Sequence, residues 1–111
     1  MANQLIELDA VLGALADPTR RQVIARLGQR PMSVGELAQP FPITLPSFMK
    51  HVRALEASGL IRTAKAGRVR TCTLNRERLA LVDDWLDEQR RSWVAATDRL
   101  EHLVTHQEEA P

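Results

Sequence analysis

Residues 44–61 read TLPSFMKHVRALEASGLI, and this stretch decides the predicted fold. Thr44 is a residue type that caps helices, Pro46 suits a first helical turn, and Gly59 is typical of a helix end. Between them, apolar side chains recur every three or four residues and predict one buried helical stripe, which consists of Leu45, Phe48, Val52 and Leu55. The polar side of the same helix carries Ser47, Lys50, His51 and Arg53. The stretch therefore predicts a helix with one buried face and one basic face.

Three helices are predicted ahead of this one. The first covers about residues 3–15, because leucines follow helical spacing there, namely Leu5, Leu8, Leu12 and Leu15. The second begins after Asp17, a capping residue followed by proline, and ends at Gly28. The third is short, since Ser33 and Glu36 have the spacing of a capping box and two prolines follow soon after them.

The segment after the fourth helix changes from helical to strand spacing. Residues 60–65 and 69–74 are rich in β-branched side chains, and Gly67 in the link between them favours a hairpin. Two short helices over about residues 33–58, followed by a basic hairpin over about residues 60–75, predict a winged helix-turn-helix.

The last part of the chain predicts a contact with a second copy. No proline or glycine occurs from Arg76 to about His106, so one long helix is expected over about residues 76–106. Its apolar side chains repeat every seven residues, at Leu79, Leu86, Trp93 and Leu100. A repeat of this length is more than one small core can cover, so we expect it to pack on the same helix of a partner copy. We also assign the first-helix residues Leu5, Leu8 and Leu12 to dimerisation.

The expected fold class is mainly α with a small β-hairpin (α+β), in the order α-α-α-α-β-β-α. The chain has 111 residues, an ordinary length for one domain. We therefore expect residues 1–111 to form a single winged helix-turn-helix domain that forms a homodimer through its terminal helices.

The charge of the chain is uneven, although its net charge is only +1. Residues 44–70 carry six basic side chains and one acidic side chain, a net charge of +5, whereas residues 71–111 carry a net charge of −4. A basic block of this kind favours a face that binds a polyanion, and one α-helix fits the major groove of DNA. The expected contacts to double-stranded DNA are Thr44, Ser47, Lys50, His51, Arg53, Lys65, Arg68 and Arg70.

Five motifs carry a family resemblance, and they occur in the order LADPTRRQ (15–22), ELA (36–38), LPS (45–47), KHVRALEASGLI (50–61) and the glycine-containing hairpin (67–75). In order and spacing they resemble the ArsR family of winged-helix repressors, over roughly residues 8–75. The resemblance implies a homodimeric, DNA-binding transcriptional repressor. Two-fold symmetry would then require a roughly palindromic operator.

Many ArsR proteins sense metals, and two segments of this chain correspond to segments where members of the family bind them. Many members carry a Cys-x-Cys pair where this chain has the residues MSVGEL (32–37), so no thiolate is available there for a soft metal. Other members bind zinc through the last helix, where this chain has Asp98, His102, His106 and Glu109. A zinc-type sensor is kept as an alternative, but a solvated acidic helix face is preferred, and no metal or other cofactor is predicted.

Composition and motifs disfavour several other classes. The single cysteine, Cys72, excludes an internal disulfide and is expected to pack as a small apolar side chain rather than act as a redox sensor. No apolar run approaches the roughly 18 residues of a membrane helix, and the N-terminus lacks a secretory pattern. With no catalytic constellation, we expect a cytoplasmic protein that is not an enzyme. A winged-helix module that binds proteins and not DNA is a further alternative, although the basic block argues against it.

Overall fold

The computed structural model describes the backbone of residues 2–109 and the side chains of residues 5–105. Its elements are α1 (Ala2–Leu15), α2 (Pro18–Leu27), β1 (Met32–Ser33), α3 (Val34–Ala38), α4 (Leu45–Ala57), β2 (Ile61–Ala66), β3 (Val69–Leu74) and α5 (Arg76–Glu109). The contacts form one compact unit that ends at Leu81 and a second that begins at Val82. The mainly helical fold with a small antiparallel sheet confirms the predicted fold class, whereas the single-domain organisation stays a prediction.

The predicted helix starts are present as specific hydrogen bonds. The Asp17 carboxylate accepts from the backbone N–H of Arg20 at 3.0 Å and begins α2. Ser33 and Glu36 form the reciprocal capping box of α3. The Thr44 hydroxyl oxygen accepts from the backbone N–H of Ser47 at 3.3 Å and begins α4. Each bond satisfies a backbone donor that has no partner inside its helix, so local sequence sets where these helices begin.

One arginine holds the two helices before α4 together. The guanidinium group of Arg26, in the last turn of α2, donates to the carbonyl oxygens of Leu37 at 3.0 Å and Glu36 at 3.1 Å. These carbonyls lie at the end of α3, where they lack helical partners. The five-residue helix α3 is thereby tied to α2.

The core collects apolar side chains from α1 to α4 and from the three strands. The largest fully buried ones are Phe48, Leu27, Leu37, Leu55, Leu60, Ile61, Val11, Val23, Val52 and Cys72. Phe48 also stacks on Phe41, with ring centroids 5.5 Å apart. Because Phe48, Val52 and Leu55 are all buried, the inner face of α4 is confirmed from Phe48 onward.

The prediction for Leu45 is wrong. Its side chain is 56% exposed, although helical spacing assigned it to the buried stripe. Leu45 is the first residue of α4, and only the side chains from Phe48 onward reach the core. The periodic pattern does not reveal where along a helix the packing begins.

The sheet has three strands in the order β1-β3-β2, all antiparallel, and so contains one strand more than the predicted hairpin. The additional strand pairs Met32 with Cys72 and Ser33 with Thr71. A two-residue strand shows no alternation along the sequence, so only the fold reveals it. It pairs with β3 along the edge of the sheet. Cys72, on β3, is fully buried, and this burial raises the pKa of its thiol.

The hairpin is tight and in the expected place. Ala66 pairs with Val69, which leaves a two-residue turn made of Gly67 and Arg68. Gly67 has a φ of +62°, a left-handed conformation that glycine adopts without steric cost. The turn places Arg68 at the tip.

The link from α4 to β2 is held by hydrogen bonds to the side chain and the backbone of Asn75. Gly59 has a φ of +82°, and its carbonyl oxygen accepts from the Asn75 side chain at 3.0 Å. The backbone N–H of Asn75 donates to the carbonyl oxygen of Leu60 at 2.8 Å. These bonds fix the end of α4 beside the start of α5.

A chain of side-chain bonds ties the hairpin to α4. The hydroxyl of Thr63, on β2, donates to the carboxylate of Glu56, on α4, in a short hydrogen bond. Arg70, on β3, donates from Nη1 to the same Thr63 oxygen at 2.9 Å. One threonine therefore connects both strands of the hairpin to α4.

Across the described helices, none combines the length and the apolar character that a membrane crossing requires.

The alanine substitution Gly59→Ala is expected to lower the free energy of unfolding by at least as much as Gly67→Ala. Both force a side chain into a left-handed conformation, which costs about 1–2 kcal/mol. At position 59 the added Cβ would also lie 2.9 Å from the Arg78 guanidinium group, which must move, whereas at position 67 it meets nothing within 4 Å. Urea denaturation measures both.

The matched control is Gly13→Ala, inside α1, where the added Cβ also meets nothing within 4 Å. Alanine has the higher helix propensity, so this variant is expected to be neutral or more stable by up to about 1 kcal/mol. Wild-type stability of Gly59→Ala would contradict the assigned strain.

The substitution Thr63→Val is expected to lower stability by about 0.5–1.5 kcal/mol, because it removes the hydroxyl that both Glu56 and Arg70 use while keeping the β-branched shape. Thr73→Val is the control, on β3 at an exposed position paired with Arg62. If the two variants unfold at the same urea concentration, the three-residue connection contributes nothing.

Candidate nucleic-acid interface

The outer face of α4 presents polar and basic side chains at helical spacing. Ser47, Lys50 and Arg53 are three residues apart and all exposed, so they lie on one side of the helix. Phe48, three residues after Leu45, and Val52 are buried on the other side. Burial of the apolar face thus directs the cations of α4 to the surface.

Thr44 is occupied mainly by its capping role. Its oxygen accepts from the backbone N–H of Ser47, and its hydroxyl donates to the Ser47 side chain at 3.0 Å. The pair fixes the first turn of α4 at the exposed end of the helix. A contact from Thr44 to DNA stays a prediction.

His51 lies on a different side of α4 from Lys50. It is partly buried, and its Nδ1 lies 3.6 Å from the Asp17 carboxylate. The backbone N–H of Arg20 lowers the pKa of Asp17 most, and the charge of His51 lowers it further. The imidazole therefore contacts the N-cap of α2, and its expected DNA contact also stays a prediction.

The hairpin cations lie close together. Lys65 and Arg70 are direct cross-strand partners, which places their side chains on the same face of the sheet. Lys65 and Arg68 are exposed, whereas Arg70 is partly buried and donates to Thr63.

Two adjoining cavities are lined both by residues of α4 and by basic residues of the hairpin. A groove of about 460 Å³ is lined by Ser33, Val34, Gly35, Leu45, Met49, Lys65, Arg68, Val69 and Arg70. A smaller cavity of about 140 Å³ is lined by Met49, Val52, Arg53, Glu56, Thr63 and Arg70. Met49 and Arg70 line both, so Arg53 shares one surface of the first unit with three of the four hairpin cations, Lys65, Arg68 and Arg70.

Several residues of this surface were not predicted from the sequence to belong to a functional site. Leu45 and Val69 line the groove, and Glu56 anchors Thr63. One signal was available for Glu56, which is the only acidic residue in the basic segment 44–70. No local pattern distinguishes Val69 from an ordinary strand residue.

The residues assigned to dimerisation fall into three groups. Leu5 and Leu12, on α1, are exposed, whereas Leu8 is 8% exposed and packs inside its own chain. Leu79 and Leu86 are partly buried. Trp93 is 58% exposed and Leu100 64% exposed. The second unit thus carries large apolar side chains in contact with solvent.

Among the described side chains, no group of three or more histidine, cysteine, aspartate or glutamate residues is arranged to hold a metal ion. Two of the four zinc candidates, His106 and Glu109, lie outside the described side chains.

Comparison with known proteins agrees with this geometry. A family model described as a helix-turn-helix domain matches residues 15–64. The HTH-type transcriptional regulator Rv2034 of Mycobacterium tuberculosis is 34% identical over 96 residues, which cover 86% of this chain and 87% of the relative.

Two solved structures are also similar. The ArsR family transcriptional regulator RHA00566 is 54% identical, with a TM-score of 0.76 over 78% of this chain and 90% of that one. The homodimeric winged helix-turn-helix DNA-binding domain of Mb0332 from Mycobacterium bovis, a possible ArsR-family regulator, is 25% identical, with a TM-score of 0.64 over 78% of this chain and 84% of that one.

The motifs, the fold and these relatives agree, and they do not favour a zinc sensor or a module that does not bind DNA. The chain belongs to the ArsR family of winged helix-turn-helix proteins and is a DNA-binding transcriptional regulator.

Proposed function

We propose that the protein represses transcription as a homodimer that occupies a roughly palindromic DNA operator. The observation that carries this proposal is that Arg53, on the outer face of α4, and the hairpin cations Lys65, Arg68 and Arg70 line two adjoining cavities. A protein that holds an operator in this way blocks other proteins from the same DNA, so repression needs no element beyond binding. The proposed location is the cytoplasm, and no catalytic step is involved.

The cross-strand pair Lys65 and Arg70 supports a polyanionic partner. Like charges directly opposite each other destabilise a sheet. A phosphate backbone on this face would relieve the repulsion, and the release of its counterions would make binding strongly dependent on salt. The hairpin cations therefore fit phosphate contacts.

The outer face of α4 fits the major groove. Lys50 and Arg53 extend from an exposed helix face, with Ser47 one turn earlier. Side chains of these types donate to base edges and to phosphates. We assign sequence preference to α4, with Thr44 and His51 at the edges of the contact, and assign backbone contact to Lys65, Arg68 and Arg70.

A homodimer is supported by the exposed apolar side chains of α5 and by the homodimeric Mb0332 domain. Trp93 and Leu100 continue a seven-residue repeat, which is the spacing of a helix that packs on another helix. A two-fold dimer places two α4 helices on one duplex, and the half-sites are then about one helical turn, or a multiple, apart.

The substitutions Lys50→Ala and Lys65→Ala are expected to weaken DNA binding in different ways. Loss of a base contact at Lys50 should cost about 1–3 kcal/mol per half-site of the operator and reduce discrimination against scrambled DNA. Loss of a phosphate contact at Lys65 should weaken both DNAs alike and reduce the salt slope by about 1 per protomer, about 2 for the dimer. Mobility-shift titrations on an operator identified by genomic footprinting measure both effects.

Unchanged operator affinity in Lys50→Ala would remove this residue from the contact. If wild-type dimer binds no duplex at physiological salt, the proposed function is wrong, and the fold serves protein contacts instead.

The double variant Leu86→Glu/Trp93→Glu is expected to be monomeric and to bind the operator much more weakly, because buried charges would face each other across the helix contact. Sedimentation velocity measures the oligomeric state. Arg91→Glu is the control, since it reverses an exposed charge on α5 outside the seven-residue repeat. A dimer that persists in the double variant would place the interface elsewhere, with α1 as the next candidate.

A further inference from the structure

The groove between α4 and the hairpin has more apolar surface than a phosphate contact requires. Its volume is about 460 Å³, within the range of small-molecule sites in proteins. It lies entirely within the first unit, between the start of α3, the start of α4 and the hairpin. Its size admits a small organic ligand.

Two of the apolar side chains that line this groove are exposed to solvent. Leu45 is 56% exposed and Val69 is 53% exposed, and they line the groove together with Val34 and Met49. Each exposed apolar side chain gains free energy when a ligand covers it, at about 25 cal/mol per Å². Phosphate alone, from DNA or from solution, does not cover these apolar side chains.

The remaining residues of the groove favour a ligand of one charge. Lys65, Arg68 and Arg70 line it, whereas the described residues that line it include no aspartate or glutamate. Glu56 lies on the adjoining small cavity instead. Arginine and lysine bind carboxylates through charge-assisted hydrogen bonds. The complementary ligand is therefore an anion with an apolar body.

We propose that this groove binds an organic carboxylate with an extended apolar chain, and that the bound carboxylate excludes DNA. The carboxylate group pairs with Lys65 and Arg68, and the chain covers Leu45 and Val69. This inference rests on the proposed function, because the same cations are assigned there to phosphate contacts. The bound carboxylate excludes DNA because both would pair with the same cations. A ligand that binds only the DNA-free protein lowers the apparent affinity for DNA as the ligand concentration rises above the ligand's Kd.

The test uses decanoate, below the concentration at which it forms micelles, titrated into the full-length protein by isothermal calorimetry. Decanol carries the apolar chain without the charge, and acetate carries the charge without the chain. Decanoate is expected to bind to one site per chain, and both controls are expected to bind far more weakly. Absence of decanoate binding, or equal binding of decanol, would overturn the proposal.

Variants locate the site. Val69→Thr keeps the strand shape and replaces one methyl group by a hydroxyl, so it should weaken decanoate binding by about fourfold, and Lys65→Ala should also weaken it. Val94→Thr is the matched control, at an exposed valine of α5. If Val94→Thr weakens binding and Val69→Thr does not, decanoate binds the apolar face of α5, and the groove is not its site.

Competition is measured by repeating the operator titration with decanoate present. The operator Kd is expected to rise with decanoate concentration in the wild type, with both sites of the dimer contributing, and to rise less in Val69→Thr. Simultaneous binding of decanoate and DNA would overturn the exclusion. If the wild-type protein binds decanoate but no DNA, the carboxylate site is supported and the proposed function is refuted. Failure of the carboxylate site and failure of the proposed function are therefore distinguishable.

Discussion

Burial of the inner face of α4 is the constraint on which the rest of the structure depends. Phe48, Val52 and Leu55 are all sequestered from water, and apolar burial is the main favourable contribution to folding. A helix that buries one stripe of side chains leaves its opposite side in solvent. Burial of Phe48 therefore places Lys50 and Arg53 on the exposed side of α4. The functional face is thus a consequence of the core.

The hairpin is tied to α4 by hydrogen bonds, in addition to the burial of its residues Ile61 and Cys72 in the core. Glu56, Thr63 and Arg70 form a continuous connection from the helix to both strands. Gly59 sets the angle at which the chain leaves α4, through its left-handed backbone. Because these bonds are few and partly exposed, single substitutions can remove them.

Most of the helical architecture could be predicted, because its signals are local. A capping residue acts on a backbone group two or three positions away, so Asp17, Ser33 and Thr44 mark helix starts without reference to the rest of the fold. Gly67 marks the hairpin turn in the same way. The strand β1 could not be predicted, because its two residues depend for their structure on pairing with Thr71 and Cys72, about forty positions away.

Local sequence signals are sufficient for the helix starts, the hairpin turn, the inner stripe of α4 from Phe48 onward and the segment that carries the basic charge. These follow from interactions between residues only a few positions apart. Tertiary structure decided that Leu45 stays exposed, that His51 contacts Asp17, and that α4 and the hairpin enclose a groove. Each of these depends on how separate elements pack, and packing between distant residues leaves no periodic trace in the sequence.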